Sequence, residues 1–392
     1  MTRVYLDYNA TAPLRAEARA AMVAAMDVVG NPSSVHAEGR AAKGLVERAR
    51  AQVAALVGCK TSQVIFTGSA TEAAALVVAQ KDQHGGVFAA LPTEHDCFYD
   101  WSDHALSAIH AKDGTLCPDG AADLMNLAMK CARESTANEL LTVFLLAHSA
   151  ANSETGLMMP GGGTVSDNCV HTFNGSFSYS VVCDITQVAG KLPILYPSDK
   201  RASYMILSAH KLGGPKGVGA LINFTAEDPQ AILKGGGQEM GRRSGTENVI
   251  GIAGFGAAAE AAQRDLEAGV WDRVEKLRKI LEKAIEDFSN ETIFVGKSAK
   301  RLPNTSCFIT PGWKGETQVM AMDLAGFAIS AGSACSSGKV KASRVLAAMG
   351  FDEVEAASAV RVSMGPETTE DEVLAFAEAW AKQHEKFRAR AA

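Results

Sequence analysis

The sequence predicts an α/β protein whose large domain contains a mainly parallel central sheet, because apolar segments of strand length alternate with helical segments. Segments 38–58 and 71–80 have the apolar spacing of helices, and the first of them ends at a glycine. The segments typical of short buried strands are 63–67, 140–147, 180–185, 204–209 and 219–224. Strands separated by helices indicate βαβ units, which place parallel strands side by side.

The pattern changes at about Asn248, where a long helix-rich stretch begins. Short strands follow near "NTSCFIT" and "ASAVRVSMG". We therefore predict a large α/β domain over residues 16–250 and a smaller α+β domain built from residues 1–15 and 251–392. A chain of 392 residues is long enough for one large core and one smaller core.

Composition narrows the function classes. The net charge of −6 leaves no basic footprint, so we expect no nucleic-acid partner. No apolar run approaches the roughly 20 residues of a membrane helix, and the N-terminus lacks the apolar core of a signal peptide. The eight cysteines are scattered without a C-x-x-C pair, which favours neither a metal site nor a disulfide framework. A cytoplasmic protein with reduced thiols is expected.

A predicted strand-turn-helix unit, "FTGSATEAAAL", has the features of an anion site. Ser69 and Glu72 have the spacing of a capping box at the start of the helix. The N–H groups of Ala70 and Thr71 would then point outward from the helix N-terminus, where anions bind. An ordinary well-capped helix is the alternative interpretation.

The stretch "SAHKLGGPKG" places Lys211 where a predicted strand ends, next to Ser208 and His210. A lysine at the end of such a strand can face the ligand cleft of an open α/β sheet and form a Schiff base. The alternative is a surface lysine beside a turn. The flanking Ser, His and Gly-Gly-Pro-Lys-Gly make the stretch more specific than a lone lysine.

Two charged residues in apolar surroundings also suggest a site. Asp184 follows an apolar strand, so it either caps the next element or pairs with the ring nitrogen of pyridoxal phosphate (PLP). Arg361 lies among apolar strand residues and needs a carboxylate partner, which either the protein or a substrate supplies.

Cys335 stands in "SAGSACSSG", a run of small and polar residues. Free cysteine is usually buried, whereas such a run is typical of an exposed loop. Among the eight cysteines, this one is the candidate nucleophile, and a nucleophilic cysteine must be a thiolate.

These stretches, taken together, resemble one enzyme family over nearly the whole chain. The motifs are "YLDYNATAP", "GNPSSVH", "FTGSATEA", "TEHD", "CDITQVAGK", "SAHKLGGPKGVGAL", "GGGQEMGRRSGTENV", "SAGSACSSG" and "VRVSMG". They resemble the cysteine desulfurases of the Nif/Isc type, in the class V aminotransferase group of fold-type I PLP enzymes. The resemblance implies the fold-type I PLP-dependent transferase fold.

The resemblance also implies a role for each matching residue. Lys211 would hold PLP as a Schiff base and move the substrate's α-proton, while His95 would stack on the ring and assist proton transfer. Asp184 would keep the ring nitrogen protonated. Gln187 and the residue at position 153, here Ser153, would bind the phenolic oxygen of PLP. Asn31 and Arg361 would bind the substrate carboxylate. The residues that would bind the phosphate are Ala70, Thr71, Ser208, His210 and the neighbouring subunit's equivalent of Thr246.

The implied activity converts L-cysteine to L-alanine and leaves a persulfide on Cys335. A homodimer with shared active sites would pass this sulfur to an acceptor protein for Fe–S cluster assembly or tRNA thiolation. The stretch "SACSSGKVKASRVL" shows no deletion relative to the long-loop branch, which favours an Isc/Nif-like donor over a Suf-like one. Selenocysteine lyase and a degenerate, non-catalytic scaffold of the same fold are the alternatives.

The chain departs from the family at Ser153, where the family usually has the second Asn of "NNE". Serine is shorter than asparagine, so either one hydrogen bond to PLP is lost or Asn152 replaces it. The loss of one such bond costs about 0.5–1.5 kcal/mol.

Overall fold

A computed structural model gives the structure of the chain. The residues that it describes are 3–104, 106–107, 110–115, 126, 142–159, 172–173, 177–194, 202–332 and 342–391.

The strands and helices are numbered in chain order. The strands are β1 (Val4–Tyr5), β2 (Val64–Thr67), β3 (Phe88–Ala90), β4 (Thr142–Ser149), β5 (Thr172–Phe173), β6 (Phe177–Asp184), β7 (Tyr204–Ser208), β8 (Gly219–Asn223), β9 (Ile293–Phe294), β10 (Thr305–Ile309), β11 (Phe327–Ala328), β12 (Ser330–Ala331) and β13 (Ala359–Ser363). The helices are α1 (Ala16–Met26), α2 (Ala37–Val57), α3 (Ala70–Val78), α4 (Asp96–Tyr99), α5 (Val249–Glu267), α6 (Val270–Phe288), α7 (Gly315–Leu324), α8 (Arg344–Ala348), α9 (Glu353–Ala357) and α10 (Glu370–Ala391).

The central sheet has the strand order β2-β8-β7-β6-β4-β3, with β5 paired to β6. Strands β3, β4, β6 and β7 are parallel neighbours. Strand β8 is antiparallel to both β7 and β2, so β2 points the same way as the parallel group. The mainly parallel sheet that the sequence predicts is therefore confirmed. Each of its five predicted strands overlaps an observed strand of this sheet.

Both faces of the central sheet are covered by helices, which explains why its strands are apolar runs rather than alternating ones. On one face, Val46 and Val53 of α2 pack with Phe66 of β2 and Phe255 of α5. On the other face, the neighbouring strand residue Ile65 packs with α3. Helix α2 ends at Gly58, whose φ of 73° is the left-handed conformation that glycine adopts readily.

A second, four-stranded antiparallel sheet has the order β12-β13-β10-β9. Its core includes Phe308 of β10, Leu281 of α6 and Trp380 of α10. The N-terminal residues join this region, because β1 pairs with β11 and Asp7 bridges to Ser363. The two-domain division at residues 15 and 250 stays a prediction.

Within the described residues, no helix combines the length and the apolar character that crossing a membrane requires.

Candidate active site

A cavity of about 330 Å³ opens where parallel strands of the central sheet end. Ser149 ends β4, Asp184 ends β6 and Ser208 ends β7, and all three line the cavity. The carboxyl ends of parallel strands meet at one sheet edge, which is the usual ligand position in open α/β folds. The sequence-predicted site residues that line this cavity are Ala70, Thr71, His95, Ser153, Asp184, Gln187, Ser208, His210, Lys211 and Arg361.

The N-terminus of α3 forms one wall of the cavity. Ser69 caps this helix, and its hydroxyl accepts the Glu72 N–H at 3.1 Å, as predicted. The second half of the predicted capping box is wrong, because the Glu72 carboxylate accepts the Gly68 N–H at 2.8 Å instead. A Cβ at Gly68 would lie 2.7 Å from Glu72 Oε2, so the absence of a side chain allows this approach. The N–H groups of Ala70 and Thr71 belong to the first turn, which has no acceptors within its own helix.

Lys211 and His210 follow β7 in a short turn of 3₁₀ helix. The Lys211 amine donates to the carbonyls of Asn9 at 2.6 Å and Ala10 at 2.8 Å. Because Lys211 lines the cavity, the alternative of a lysine on the outer surface is wrong. Burial and then the neighbouring Lys211 and Lys216 lower the pKa of His210 to about 4, so its imidazole is neutral near pH 7.

Asp184 and Gln187 lie on the wall below the end of β6. One Asp184 oxygen accepts the Thr186 N–H at 2.8 Å, so Asp184 stabilises the following turn and also faces the cavity. Gln187 Oε1 accepts from Lys191 at 3.0 Å, and its Nε2 donates to the Asn9 carbonyl at 3.1 Å. The second hydrogen of Nε2 is the one that Gln187 can offer to a ligand.

His95 caps the short helix α4, and its Nδ1 accepts the Cys97 N–H at 3.2 Å. Since Nδ1 is an acceptor, the neutral ring carries its proton on Nε2. Cys97 also lines the cavity, and burial raises the pKa of its thiol. Sequence reasoning did not single out this thiol, although its place two residues after His95 is visible in "TEHDCF".

Arg361 lies on β13 with 4% of its surface exposed. Its guanidinium donates to Asp7 Oδ1 at 2.8 Å and to the Ser153 carbonyl at 3.0 Å. The carboxylate partner that the sequence predicts is thus supplied by Asp7 in the N-terminal segment. Within the described residues, Arg361 Nε has no hydrogen-bond partner, and the side chain lines the cavity.

Among the described residues, two of the predicted site residues do not line this cavity, and a third predicted residue is not described. Asn31 is exposed, and its side chain accepts the Ser33 N–H at 2.9 Å. Thr246 lines a separate cavity of about 90 Å³ beside Gly68 and Glu239. Cys335 lies outside the described residues.

Asn9, which sequence reasoning did not single out, connects the residues of the site. Its carbonyl accepts from both Lys211 and Gln187, and its Oδ1 accepts from Lys191 at 3.1 Å. Its Nδ2 donates to Thr305 Oγ1 at 2.9 Å. The signal is the asparagine of "YLDYNATAP", but its partners are distant in sequence.

Ser153 occupies the position where the family usually carries asparagine. Its carbonyl accepts from Arg361. The neighbouring Asn152 holds the turn together, because its Oδ1 accepts the Glu154 and Thr155 N–H groups at 2.9 Å each. Its Nδ2 donates to the Thr93 carbonyl. Asn152 is therefore already engaged, which disfavours it as a substitute for the missing asparagine.

We expect Ser153→Asn to tighten PLP binding, because the longer amide adds a hydrogen-bond donor at the cavity wall. The expected decrease in the PLP dissociation constant is about 2- to 10-fold, the equivalent of one hydrogen bond. Fluorescence titration of the apoprotein with PLP measures it. Ser33→Asn, at an exposed turn position, is the matched control and should leave the constant unchanged. Weaker or equal binding by Ser153→Asn would contradict the expectation.

Glu154 is buried near Ser343 and Arg361, both of which act to lower its pKa. Burial raises its pKa from 4.5 to about 7, so the folded chain keeps a proton that the unfolded chain releases as pH rises through this window. The wild-type protein should therefore lose up to about 3 kcal/mol of unfolding free energy from this group between these pH values. Glu154→Gln, which does not titrate, should not show this loss.

Urea unfolding at a series of pH values measures the effect. Glu385→Gln, on the exposed side of α10, is the control and should follow the wild-type curve. A constant difference between Glu154→Gln and wild type from about pH 5 to pH 8 would show that burial does not shift this group.

The residues of the cavity fit PLP by their chemistry. The N-terminus of α3, with Ser208 and His210, would hold the phosphate. Lys211 would provide the amine for the Schiff base, Asp184 the partner of the ring nitrogen and His95 a flat ring for stacking.

Comparison with known proteins agrees with this geometry. Residues 4–376 match the model of the aminotransferase class-V family. A cysteine desulfurase from Frankia sp. (strain EuIK1) is 37% identical, over 96% of this chain and 90% of the relative. A cysteine desulfurase IscS from Anaeromyxobacter sp. (strain Fw109-5) is 36% identical, over 94% of this chain and 89% of the relative.

Among solved structures, a NifS-like protein from Rickettsia africae superposes with a TM-score of 0.80 at 26% identity, over 98% of this chain and 99% of the other. This match confirms the predicted fold-type I PLP architecture. The chain belongs to the class-V aminotransferase family and, within it, to the PLP-dependent cysteine desulfurases.

Proposed function

We propose a set of residue roles by which this cysteine desulfurase takes sulfur from L-cysteine. The observation that carries the proposal is the single cavity that collects Lys211, Asp184, His95 and Arg361. Asp184 ends β6, Lys211 follows β7 and His95 follows β3, so strands of the central sheet bring these three residues together. Arg361 comes from β13 of the second sheet. Bound PLP supplies an electron sink for the Cα of the amino acid.

Lys211 is the proposed cofactor lysine and then the base that removes the Cα proton. Its amine is held by the carbonyls of Asn9 and Ala10 at the cavity wall. The Asp184 carboxylate holds a proton on the ring nitrogen. The His95 ring, with its proton on Nε2, would stack on the cofactor and present a donor within the cavity.

The substrate carboxylate is proposed to bind Arg361. Its planar guanidinium suits bidentate binding of a carboxylate. Asp7 already occupies one side of this guanidinium at 2.8 Å, so Asp7 holds its orientation and the substrate approaches the remaining donors. Asn31 is the second proposed carboxylate ligand and is exposed in the single chain.

The sulfur step is a transfer to Cys335. The Cys335 thiolate attacks the substrate Sγ and forms an S–S bond while the substrate Cβ–Sγ bond breaks. The bonding electron pair stays on Cβ, which takes up a proton, and Cα regains its own. The products are L-alanine and a Cys335 persulfide, so no external oxidant is needed.

We further propose that the enzyme is a cytoplasmic homodimer that delivers the persulfide sulfur to an acceptor protein. The separation of Thr246 and Asn31 from the cavity of their own chain supports the dimer, because these residues could complete the cavity of a second copy. The acceptor would be an Fe–S scaffold or a tRNA-thiolating sulfurtransferase.

The test is an assay with purified protein, PLP, L-cysteine and dithiothreitol. We expect equal amounts of L-alanine and sulfide, and a persulfide on Cys335 when the reductant is left out. Parallel rates with L-selenocysteine decide which amino acid is the better substrate. A protein that binds PLP but forms no alanine would contradict the proposal.

A further inference from the structure

Arg344, the first residue of α8, connects two parts of the chain that the proposed function needs. It follows the Cys335 stretch in sequence, yet its side chain contacts the turn that carries His95. Its Nη2 donates to the Glu94 carbonyl at 2.7 Å and to Asp96 Oδ1 at 2.8 Å. Its Nη1 donates to the Pro92 carbonyl. The contacts therefore lie on both sides of His95.

A fourth contact holds the helix that follows the turn. The Arg344 guanidinium carbon lies 3.7 Å from the centre of the Tyr99 ring, within the distance of a cation–π interaction. Tyr99 is the last residue of α4, and His95 caps the first turn of that helix. One side chain thus binds the residues before His95, the residue after it and the far end of α4.

The position of Arg344 is itself held by its neighbours. Ser343 caps α8 and accepts the Leu346 N–H at 3.0 Å. The Ser343 side chain also lies beside the buried Glu154 and lowers its pKa, against the larger effect of burial. The guanidinium therefore projects from a capped helix end, and a planar guanidinium can serve several acceptors at once.

We infer that Arg344 is a positioning residue that holds the His95 ring at the cavity wall. Arg344 is absent from the residues that line the cavity, so it acts through the turn rather than on a ligand. The inference rests on the proposed function, in which His95 stacks on PLP. It also makes the start of α8, just after the Cys335 stretch, a support for the cofactor-stacking residue.

The test compares wild type, Arg344→Ala, Arg344→Lys and Asp96→Asn as PLP-loaded proteins. In Arg344→Ala, we expect PLP to be lost about 10-fold faster and kcat for alanine formation to fall about 10-fold, because a small displacement of a positioned group has a large effect on rate. The KM for L-cysteine should change by less than about 2-fold, since Arg361 and not His95 binds the substrate carboxylate. The absorption maximum of bound PLP should also shift.

The other two variants should show smaller effects than Arg344→Ala on PLP loss, kcat and the spectrum. Lysine keeps the charge but not the planar fork, so Arg344→Lys should lie between wild type and Arg344→Ala. Asp96→Asn leaves the carbonyl contacts in place and should be the mildest change. Arg3→Ala, which removes an exposed ion pair to Asp323, is the matched control and should leave PLP loss, kcat and the spectrum unchanged.

If Arg344→Ala lost PLP at the wild-type rate and kept the wild-type spectrum and kcat, the inference would be overturned. Should Arg344→Ala fail to fold, wild-type values in Arg344→Lys would overturn it equally, and intermediate values would support it. Failure of the proposed function looks different, because wild type would then form no alanine. The rate of PLP loss and the spectrum still compare Arg344→Ala with wild type in that case.

Discussion

Cys335→Ala is expected to abolish alanine and sulfide formation from L-cysteine while leaving the visible absorption of bound PLP intact. The variant has no thiolate at position 335 to attack the substrate Sγ, so the Cβ–Sγ bond has no sulfur acceptor. We expect kcat to fall by at least about 10³-fold, as is typical when a covalent nucleophile is removed. Product analysis by amino-acid chromatography and a sulfide assay measures both losses.

Cys97→Ala is the matched control, because Cys97 is the thiol that lines the cavity among the described residues. Burial raises the pKa of Cys97, so its thiolate is scarce at neutral pH, and the variant should keep most of the activity. If Cys335→Ala retained full desulfuration with a reductant present, the proposed sulfur transfer to Cys335 would be wrong. If Cys97→Ala lost activity and Cys335→Ala did not, the nucleophile would be Cys97 and not Cys335.

Lys211→Ala is expected to lose the visible absorption band and the activity together. Without the amine there is no Schiff base to the protein and no base at the cavity wall, so we expect turnover to fall by at least about 10³-fold. Other residues that would hold PLP, such as the N-terminus of α3 and Ser208, remain. Some PLP should therefore still bind without a covalent bond.

Borohydride reduction followed by peptide mass spectrometry separates covalent from non-covalent binding. In wild type, the PLP mass should appear on the peptide that contains Lys211, and in the variant on no peptide. Lys216→Ala, an exposed lysine in the same glycine-rich turn, should label and react like wild type. A reduced PLP adduct on any other lysine of wild type would show that Lys211 is not the cofactor lysine.

The sequence predicted the central sheet well because its strands are buried on both faces. Such strands are continuous apolar runs, and "YMILS" and "GALIN" are observed as β7 and β8 with every residue buried. The start of α3 was predictable for a different reason, since a serine cap acts within one turn of chain. The antiparallel direction of β8 was not predictable, because direction depends on the path of the chain between strands.

The candidate site was predictable where a residue follows a strand directly. Asp184 and Ser208 each end a strand, and His210 and Lys211 come at once after β7, so all four lie at the sheet edge. The partners of these residues were not predictable. Asn9 and Lys211 are hydrogen-bonded although 202 residues separate them in the sequence, and Arg361 and Asp7 are paired at a separation of 354 residues. No local pattern encodes contacts at such separations.

By itself, the sequence determined the family and the strand and helix types, and it supplied the candidate reactive groups, including Cys335. Motifs and apolar periodicity carry this information because they are local properties of the chain. Only the tertiary structure decided that the Arg361 guanidinium pairs with Asp7 and that the Asn9 carbonyl accepts from both Lys211 and Gln187. It also decided that Arg344 donates hydrogen bonds to the turn that carries His95. These are polar contacts between distant segments, and they form because each buried donor must find an acceptor once the segments pack together.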